Sequence, residues 1–463
     1  VLQNKFVVFI LSVMCFSGIA GAQTGTVSPY SRYGIGEIRI PATVRQAGMG
    51  SAGKALFDYD RISILNPASS GFDTVTTLEA GIYASVFKLI TSQNSQTANG
   101  ASINYFSLGF PVIKNIWGAA LGIAPYSSTG YRISDTGTSE NCNCGRILSS
   151  FTGDGDINRY FLQFGFAPFG RRGEKFYTSS EYEKLIQNSD TLSLNKFVNR
   201  INAIKGISIG INASWLFGTL NNIRTMDFID STTYLDTKIT SSITLSDIHL
   251  NFGALYHLEL KKNNFINAGI TLSPTSGIRS IRNVLWYNFR SNDFFDDVKD
   301  TVLNIVDDKG STTIPMEWSA GVAFGKKEKW IAAADFTYQK WSEYKSFNVH
   351  ESFEDSYSIH AGFEITPKKG STRYLDNVQY RIGGYYGSSF LQLKGQRIND
   401  YGISIGLGIP VIRRDYIQRA ALQIAFEAGE LGTTSENLIK QKYYRVHFGV
   451  ILNELWFVKR KYD

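Results

Sequence analysis

Three short stretches of this chain hold residue types that do chemistry in other settings. Gly48-Met49-Gly50-Ser51-Ala52-Gly53 has the glycine spacing of a dinucleotide-binding turn, and Gly48 to Lys54 approaches a phosphate loop. Position 55 is alanine, where a phosphate loop carries the hydroxyl that holds magnesium, and no buried apolar strand leads into it. Those glycines read instead as tight turns. Asn141-Cys142-Asn143-Cys144-Gly145 offers two thiols one residue apart, but zinc needs further soft ligands nearby and none is present. Cys142 and Cys144 therefore read as free or mutually bonded loop cysteines. Asp154-Gly155-Asp156 could open a calcium loop, yet the downstream glutamate is missing at the required spacing, so a turn into a strand is expected. No Ser/His/Asp order stands out. Neither an enzyme nor a metal or other cofactor is implied.

The remaining chemistry belongs to charged residues whose grouping depends on strand parity. Near the C-terminus Tyr444, Val446, Phe448, Val450 and Leu452 alternate with a set that includes Arg445, His447 and Asn453. Large apolar groups on one face and charge on the other suit a strand with lipid outside and a polar lumen inside. Leu455-Trp456-Phe457 would close the apolar band with aromatic residues. The same alternation runs through Ile207 to Phe217, Ile266 to Ser273 and Ile403 to Ile409. Applied throughout, it predicts fourteen strands: 75–88, 100–112, 116–133, 157–168, 204–233, 240–261, 264–280, 312–325, 329–343, 354–366, 376–390, 397–410, 416–430 and 441–456. An even count returns both ends of a single-chain barrel to one side. Short turns (113–115, 262–263, 326–328, 411–415) then fall on one side and long loops (134–156, 281–311, 344–353, 431–440) on the other. The insertion 171–203 breaks this rule, lying where a short turn belongs. It is either a tolerated decoration or a docking element.

The fold class expected is thus all-β, a transmembrane antiparallel barrel. Lys5 and the apolar run Phe6 to Phe16, ending at Ala20-Gly21-Ala22, predict a signal peptide over 1–22. Residues 23–74 precede the first strand and are expected to plug the lumen, leaving 75–463 as barrel. Net charge is +7, much of its surplus in turns such as Lys261-Lys262 and Lys368-Lys369. No long basic block interleaves with aromatics, which argues against nucleic acid and leaves anionic lipid or a protein partner.

Arg45-Gln46-Ala47-Gly48-Met49-Gly50-Ser51-Ala52-Gly53-Lys54-Ala55, with Asp58 and Ile64-Leu65-Asn66-Pro67-Ala68, resembles the N-terminal hatch of FadL-type outer-membrane proteins. Ser28 to Gly34 and the ending Leu455 to Lys461 resemble the Bacteroidetes branch of that superfamily, which includes PorV-like barrels. The resemblance implies a fourteen-stranded barrel in the outer membrane with periplasmic termini, a hatch containing Gly48, Gly50, Gly53, Asn66 and Pro67, and passage of hydrophobic molecules such as fatty acids. It also implies a lateral opening at a kink in the third strand. Gly122, Pro125 and Tyr126 are the counterpart here, because proline cannot donate to a strand ladder; a bulge without transport role is the alternative.

Lumen-facing parity collects Asp335, His360, Glu364, Arg381, Arg419, Glu427, Arg445 and His447. These either neutralise one another around the hatch or offer Arg381, Arg419, Arg445 and His447 as anchors for an amphipathic ligand. Two functions follow: passive uptake of a hydrophobic or amphipathic molecule, or a non-transporting subunit of a protein-secretion or outer-membrane assembly complex that docks cargo or a larger barrel. Trp286, Tyr287, Phe289, Phe294 and Phe295 in the loop 281–311 suit either a greasy ligand or a protein partner.

Overall fold

The computed structural model describes residues 26–138, 144–169, 206–230, 233–291, 296–414 and 417–454. The expected signal peptide, the insertion 171–203, Cys142, Phe294, Phe295 and the ending from Leu455 lie outside them. Cys144 is disulfide-bonded.

Fourteen antiparallel strands close a barrel. In chain order they are β1 (Thr76–Ile90), β2 (Ser95–Ile113), β3 (Trp117–Thr138), β4 (Arg146–Phe166), β5 (Ile207–Phe228), β6 (Asp236–Glu259), β7 (Asn264–Ser273, resuming over Ser276–Ser291), β8 (Asp296–Ile314, resuming over Glu317–Lys326), β9 (Trp330–Gln339), β10 (Ser356–Ile365), β11 (Gln379–Leu393), β12 (Gln396–Arg414), β13 (Ile417–Leu431) and β14 (Lys440–Glu454). Each pairs with its neighbour in sequence, and β14 pairs with β1 from Lys440↔Ile90 to Glu454↔Thr76, which closes the ring. Closure removes the free edges that an open sheet would present to lipid.

The barrel is inside out relative to a soluble one. On β5 Ile209 and Trp215 are half exposed, while Ser208, Asn212 and Ser214, of the opposite parity, are buried. On β12 Ile403 is 68% exposed and Ser404 is 2% exposed. Tyr444, Phe448 and Leu452 of β14 face out, and His447 and Asn453 face in. Burying serine beside exposed isoleucine makes sense only where the outer solvent is hydrocarbon.

Strand length departs from the sequence expectation. The stretches 134–156 and 281–311 were expected as loops; both are largely strand, forming ladders from Pro125↔Asn158 to Thr138↔Arg146 and from Ile314↔Ser276 to Asp296↔Ser291. Above the lipid both faces meet water or polar lumen, so period-two alternation fades while backbone pairing continues. β3 to β8 therefore rise well above the other eight strands. β7 and β8 are the tallest, each broken once at a proline, Pro274 and Pro315.

Residues 26–74 contact the inner wall almost all the way round. Tyr30 Oη donates to the Ile439 carbonyl near the tall-hairpin end, and Phe57 packs on His257 near the short-turn end, so the segment runs the length of the lumen. A four-residue helix, Val44–Ala47, is started by a capping box: Gln46 N donates to Thr43 Oγ1 and Thr43 N to Gln46 Oε1. Inward-facing glycines make room for its backbone. A Cβ on Gly383 would lie 2.1 Å from Gly50 N, and Gly50 itself has φ +66°.

Candidate functional site

Two ion-pair centres and one carboxylate held by backbone N–H groups tie this segment to the wall. Arg45 donates from Nε and Nη2 to both oxygens of Glu364 on β10, at 2.8 and 2.9 Å, and Arg381 on β11 donates from Nε to the same carboxylate at 2.6 Å. Asp335 on β9 accepts from the backbone N–H of Gly53 and Lys54 at 2.5 and 2.8 Å. Glu427 on β13 joins Arg445 at 3.1 Å and His447 at 3.2 Å on β14, and Arg445 reaches Glu37 of the segment at 3.2 Å. Charges shared this way satisfy one another inside the barrel and fix the segment's register.

Above the Arg45–Glu364–Arg381 centre, and bordered by the other two, lies a cavity of about 390 Å³ between the segment and the wall. Its apolar lining includes Ile38, Ile40, Pro41, Ala42, Tyr83, Tyr126 and Phe390, and its polar lining includes Arg159, His249, Asp400, Arg445 and His447. One side reaches a defect in the wall. β2 and β3 pair only from Ile113↔Trp117 to Phe106↔Ile123, although β2 continues to Ser95 and β3 to Thr138. Beyond Ile123 the two strands separate. Pro125 stands just past this point, and the β3–β4 register slips between Pro125 and Ser127, a bulge at Tyr126. The segment partly fills the breach: the two-residue strand Glu37–Ile38 pairs with Ser128 and Ser127, Arg39 N donates to the Tyr126 carbonyl at 2.9 Å, and Asn104 on β2 donates to the Ala42 carbonyl at 3.1 Å.

Of the residues named from sequence, Pro125, Tyr126, Asp335, His360, Glu427, Arg445 and His447 line the cavity. Gly122 lies within the last paired stretch, opposite Ser107, and does not line it. Arg381 is fully engaged below the cavity by Glu364, Gln379 and Gln423, and Arg419 is paired with Glu454 toward the short-turn end. Gly50 accepts from His360 through its carbonyl and donates from N to Ser404 Oγ, both within 2.8 Å; Gly48 abuts Gly406. Asn66 donates to the carbonyls of Lys54 and Ala254, and Pro67 opens a short 3-10 turn, Pro67–Phe72.

Sequence reasoning missed Arg159 on β4. Its guanidinium stacks 5.0 Å from the Tyr126 ring and donates from Nη2 to the carbonyls of Pro125 and Arg39, both at 3.2 Å. Nε is buried with no partner, and among the described residues no carboxylate pairs with this cation. The signal was present in Asn158-Arg159-Tyr160, a charge at an inward position of an alternating strand, but the neighbouring Pro125 belongs to another strand and only folding brings them together.

The comparisons agree with this architecture. The chain aligns over 89% of its length, and 98% of the other's, with the CymD monoaromatic hydrocarbon channel, at TM-score 0.52 and 11% identity. A Pseudomonas aeruginosa FadL homologue matches at TM-score 0.52 and 9% identity, over 90% of this chain and 99% of that one. The Ralstonia pickettii toluene transporter TbuX matches at 0.50 and 12%, over 89% and 97%. At such identities the likeness is one of fold, a FadL-like outer-membrane barrel. No curated protein matches in sequence. The model of the BamG family matches residues 3–171 and 179–463, nearly the whole sequence, and the chain therefore belongs to the BamG family.

Proposed function

We propose that the barrel takes up an amphipathic small molecule through the cavity and releases it sideways into the bilayer between β2 and β3, with residues 23–74 acting as a hatch against free diffusion of water and solutes. The observation that carries this reading is the lost β2–β3 pairing beyond Ile123, which borders a cavity of mixed apolar and charged lining in which Arg159 is the cation without a carboxylate partner among the described residues. Arg159 would hold the head of the ligand, a carboxylate or similar anion, because a buried guanidinium gains most from an anion that replaces its missing partner. Arg445 and His447 would frame the far side of the cavity. Ile40, Pro41 and Tyr83 would take the apolar part. Under this reading the short turns and both termini face the periplasm.

Native mass spectrometry of protein extracted gently from its own outer membrane, with lipid extraction of the same sample, tests the proposal. A bound amphiphile that is lost in Arg159→Gln while the barrel stays folded is the expected result. A wild-type barrel carrying no amphiphile would sink it.

A second reading, a non-transporting subunit that docks a protein, is favoured by a separate observation. The tallest hairpin exposes Leu285, Trp286, Val298, Val302, Leu303 and Val306 to solvent, more apolar surface than a loop without a partner ordinarily shows. A stoichiometric protein partner with no bound amphiphile would support it.

A further inference from the structure

We propose that the outer edge of the upper part of β8, residues 296–310, is a docking edge to which an extended, basic-apolar segment of another protein adds as a further strand. The inference is independent of whether the cavity carries a ligand.

β8 pairs with β7 along Asp296–Ile314 on one side. On the other, only Thr312 and Thr313 find a strand partner, in Ser346 and Lys345, and Phe347 N donates to the Ser311 carbonyl at 3.0 Å. Among the described residues no strand covers 296–310 on that side. The edge is rich in aliphatic side chains: Val298 is 52% exposed, Val302 45%, Leu303 41% and Val306 67%. A long exposed strand edge with such residues is a template for pairing.

Lipid does not reach it. A membrane strand needs only about 9–11 residues, which Glu317–Lys326 supplies. With roughly 2.5 Å of height per residue for a strand tilted by about 40°, Val306 stands about 28 Å above Glu317.

Charge selects the occupant. Residues 296–311 hold five aspartates against Lys299 and Lys309. Asp296 is engaged by Lys238, Asp297 by Lys299 and Asp308 by Arg282. Asp300 and Asp307 are left without a cation among the described residues. A second copy of this edge would bring aspartate against aspartate, which disfavours self-pairing. A segment with alternate apolar residues and Lys or Arg opposite Asp300 and Asp307 meets both conditions, with backbone bonds supplying affinity and side chains the selectivity.

The test places a photo-crosslinking amino acid singly at 298, 300, 302, 304 and 306 of the full-length protein in its native membrane, and maps the adducts by mass spectrometry. Support is a ladder: adducts to one partner segment whose position advances steadily as the probe moves by two residues. Hydrogen exchange of amides 298–310 should be slower in native membranes than in the purified barrel. Asp300→Lys with Asp307→Lys should lower the yield about tenfold while the barrel keeps its heat-modifiable mobility, and Arg159→Gln should leave it unchanged. Adducts only to lipid, adducts only to a second copy of this chain, scattered adducts without a ladder, or equal exchange in both settings would each overturn the proposal.

Discussion

Glu364 accepts from two buried guanidiniums, Arg45 of the N-terminal segment and Arg381 of the wall. Glu364→Gln keeps the shape and removes the charge, leaving Arg381 with only neutral partners and Arg45 with Asp58 as its one remaining carboxylate. Breaking a buried pair in this way costs about 3–5 kcal/mol. Against that stands the apolar anchoring of the segment by Val44, Met49, Leu56, Ile62, Ile64, Leu65 and Phe72, all buried. At about 1.5–3 kcal/mol each, these seven contribute on the order of 10–20 kcal/mol as an upper bound. The apolar term wins, so the segment stays inside and loosens only around Arg45. Amide exchange over residues 45–50 should accelerate roughly a hundred- to a few-thousand-fold, while single-channel recordings in planar bilayers show no new open pore. Replacing all three charged residues by methionine should restore slow exchange, because well-packed apolar groups are no worse than a satisfied buried cluster. A wide, stable conductance in Glu364→Gln would refute the weighting, and unchanged exchange would show that the pair carries nothing.

Gly383→Val should push the segment away from β11, since the new Cβ would overlap the Met49–Gly50 peptide; limited proteolysis near Gly50 should speed up and the unfolding midpoint fall by the equivalent of about 1–3 kcal/mol. Ile405→Arg, on the lipid face at 56% exposure, should cost about 2–4 kcal/mol in refolding into vesicles, and the same change at Tyr401, nearer the rim, about 0–1. On the tall hairpins Asp230 is held down to about 2 by hydrogen bonds from the Arg146 side chain and backbone. Its folded value lies below the ordinary one, so its contribution is present above about pH 4 and lost as pH falls through about 2; a carboxyl titration midpoint near 4 would contradict this.

Strand count and facing were legible because lipid imposes a strict rule on every second residue. Ile403, Ile405 and Leu407 alternating with Ser404 and Gly406 give a two-faced strand, and the exposure of the apolar face is what assigns that face to lipid. Above the membrane that rule lapses. Ser134-Asp135-Thr136-Gly137 reads as loop, yet it belongs to a ladder with 147–150 whose only guide is the continuing register. The site was half legible. Pro125 announces a fault in its strand from chemistry alone. Arg381, Arg419 and Arg445 look alike from parity, and only partners tell them apart: Arg381 is held by Glu364, Arg419 by Glu454, and Arg445 borders the cavity. Arg159 owes its isolation to the absence of a neighbour, which alternation does not encode.

The breaks at Pro274 and Pro315 lie level with one another, between the pairs Ser273↔Glu317 and Ser276↔Ile314. At the same height β6 pairs with β7 only up to Phe252 from below and down to Leu245 from above. Side chains bridge the interval instead: Asn251 Nδ2 to Ser273 Oγ, His249 Nδ1 with Ser276 Oγ, and Asp247 to Arg279. At this height the tallest hairpin is thus joined to β6 by polar side-chain contacts, and the ladder resumes above from Leu245↔Ser280 to Asp236↔Phe289. A load applied at its tip would pass through that upper ladder into β6, so the hairpin and the upper part of β6 would tilt together about this level before any strand within the membrane lost a partner.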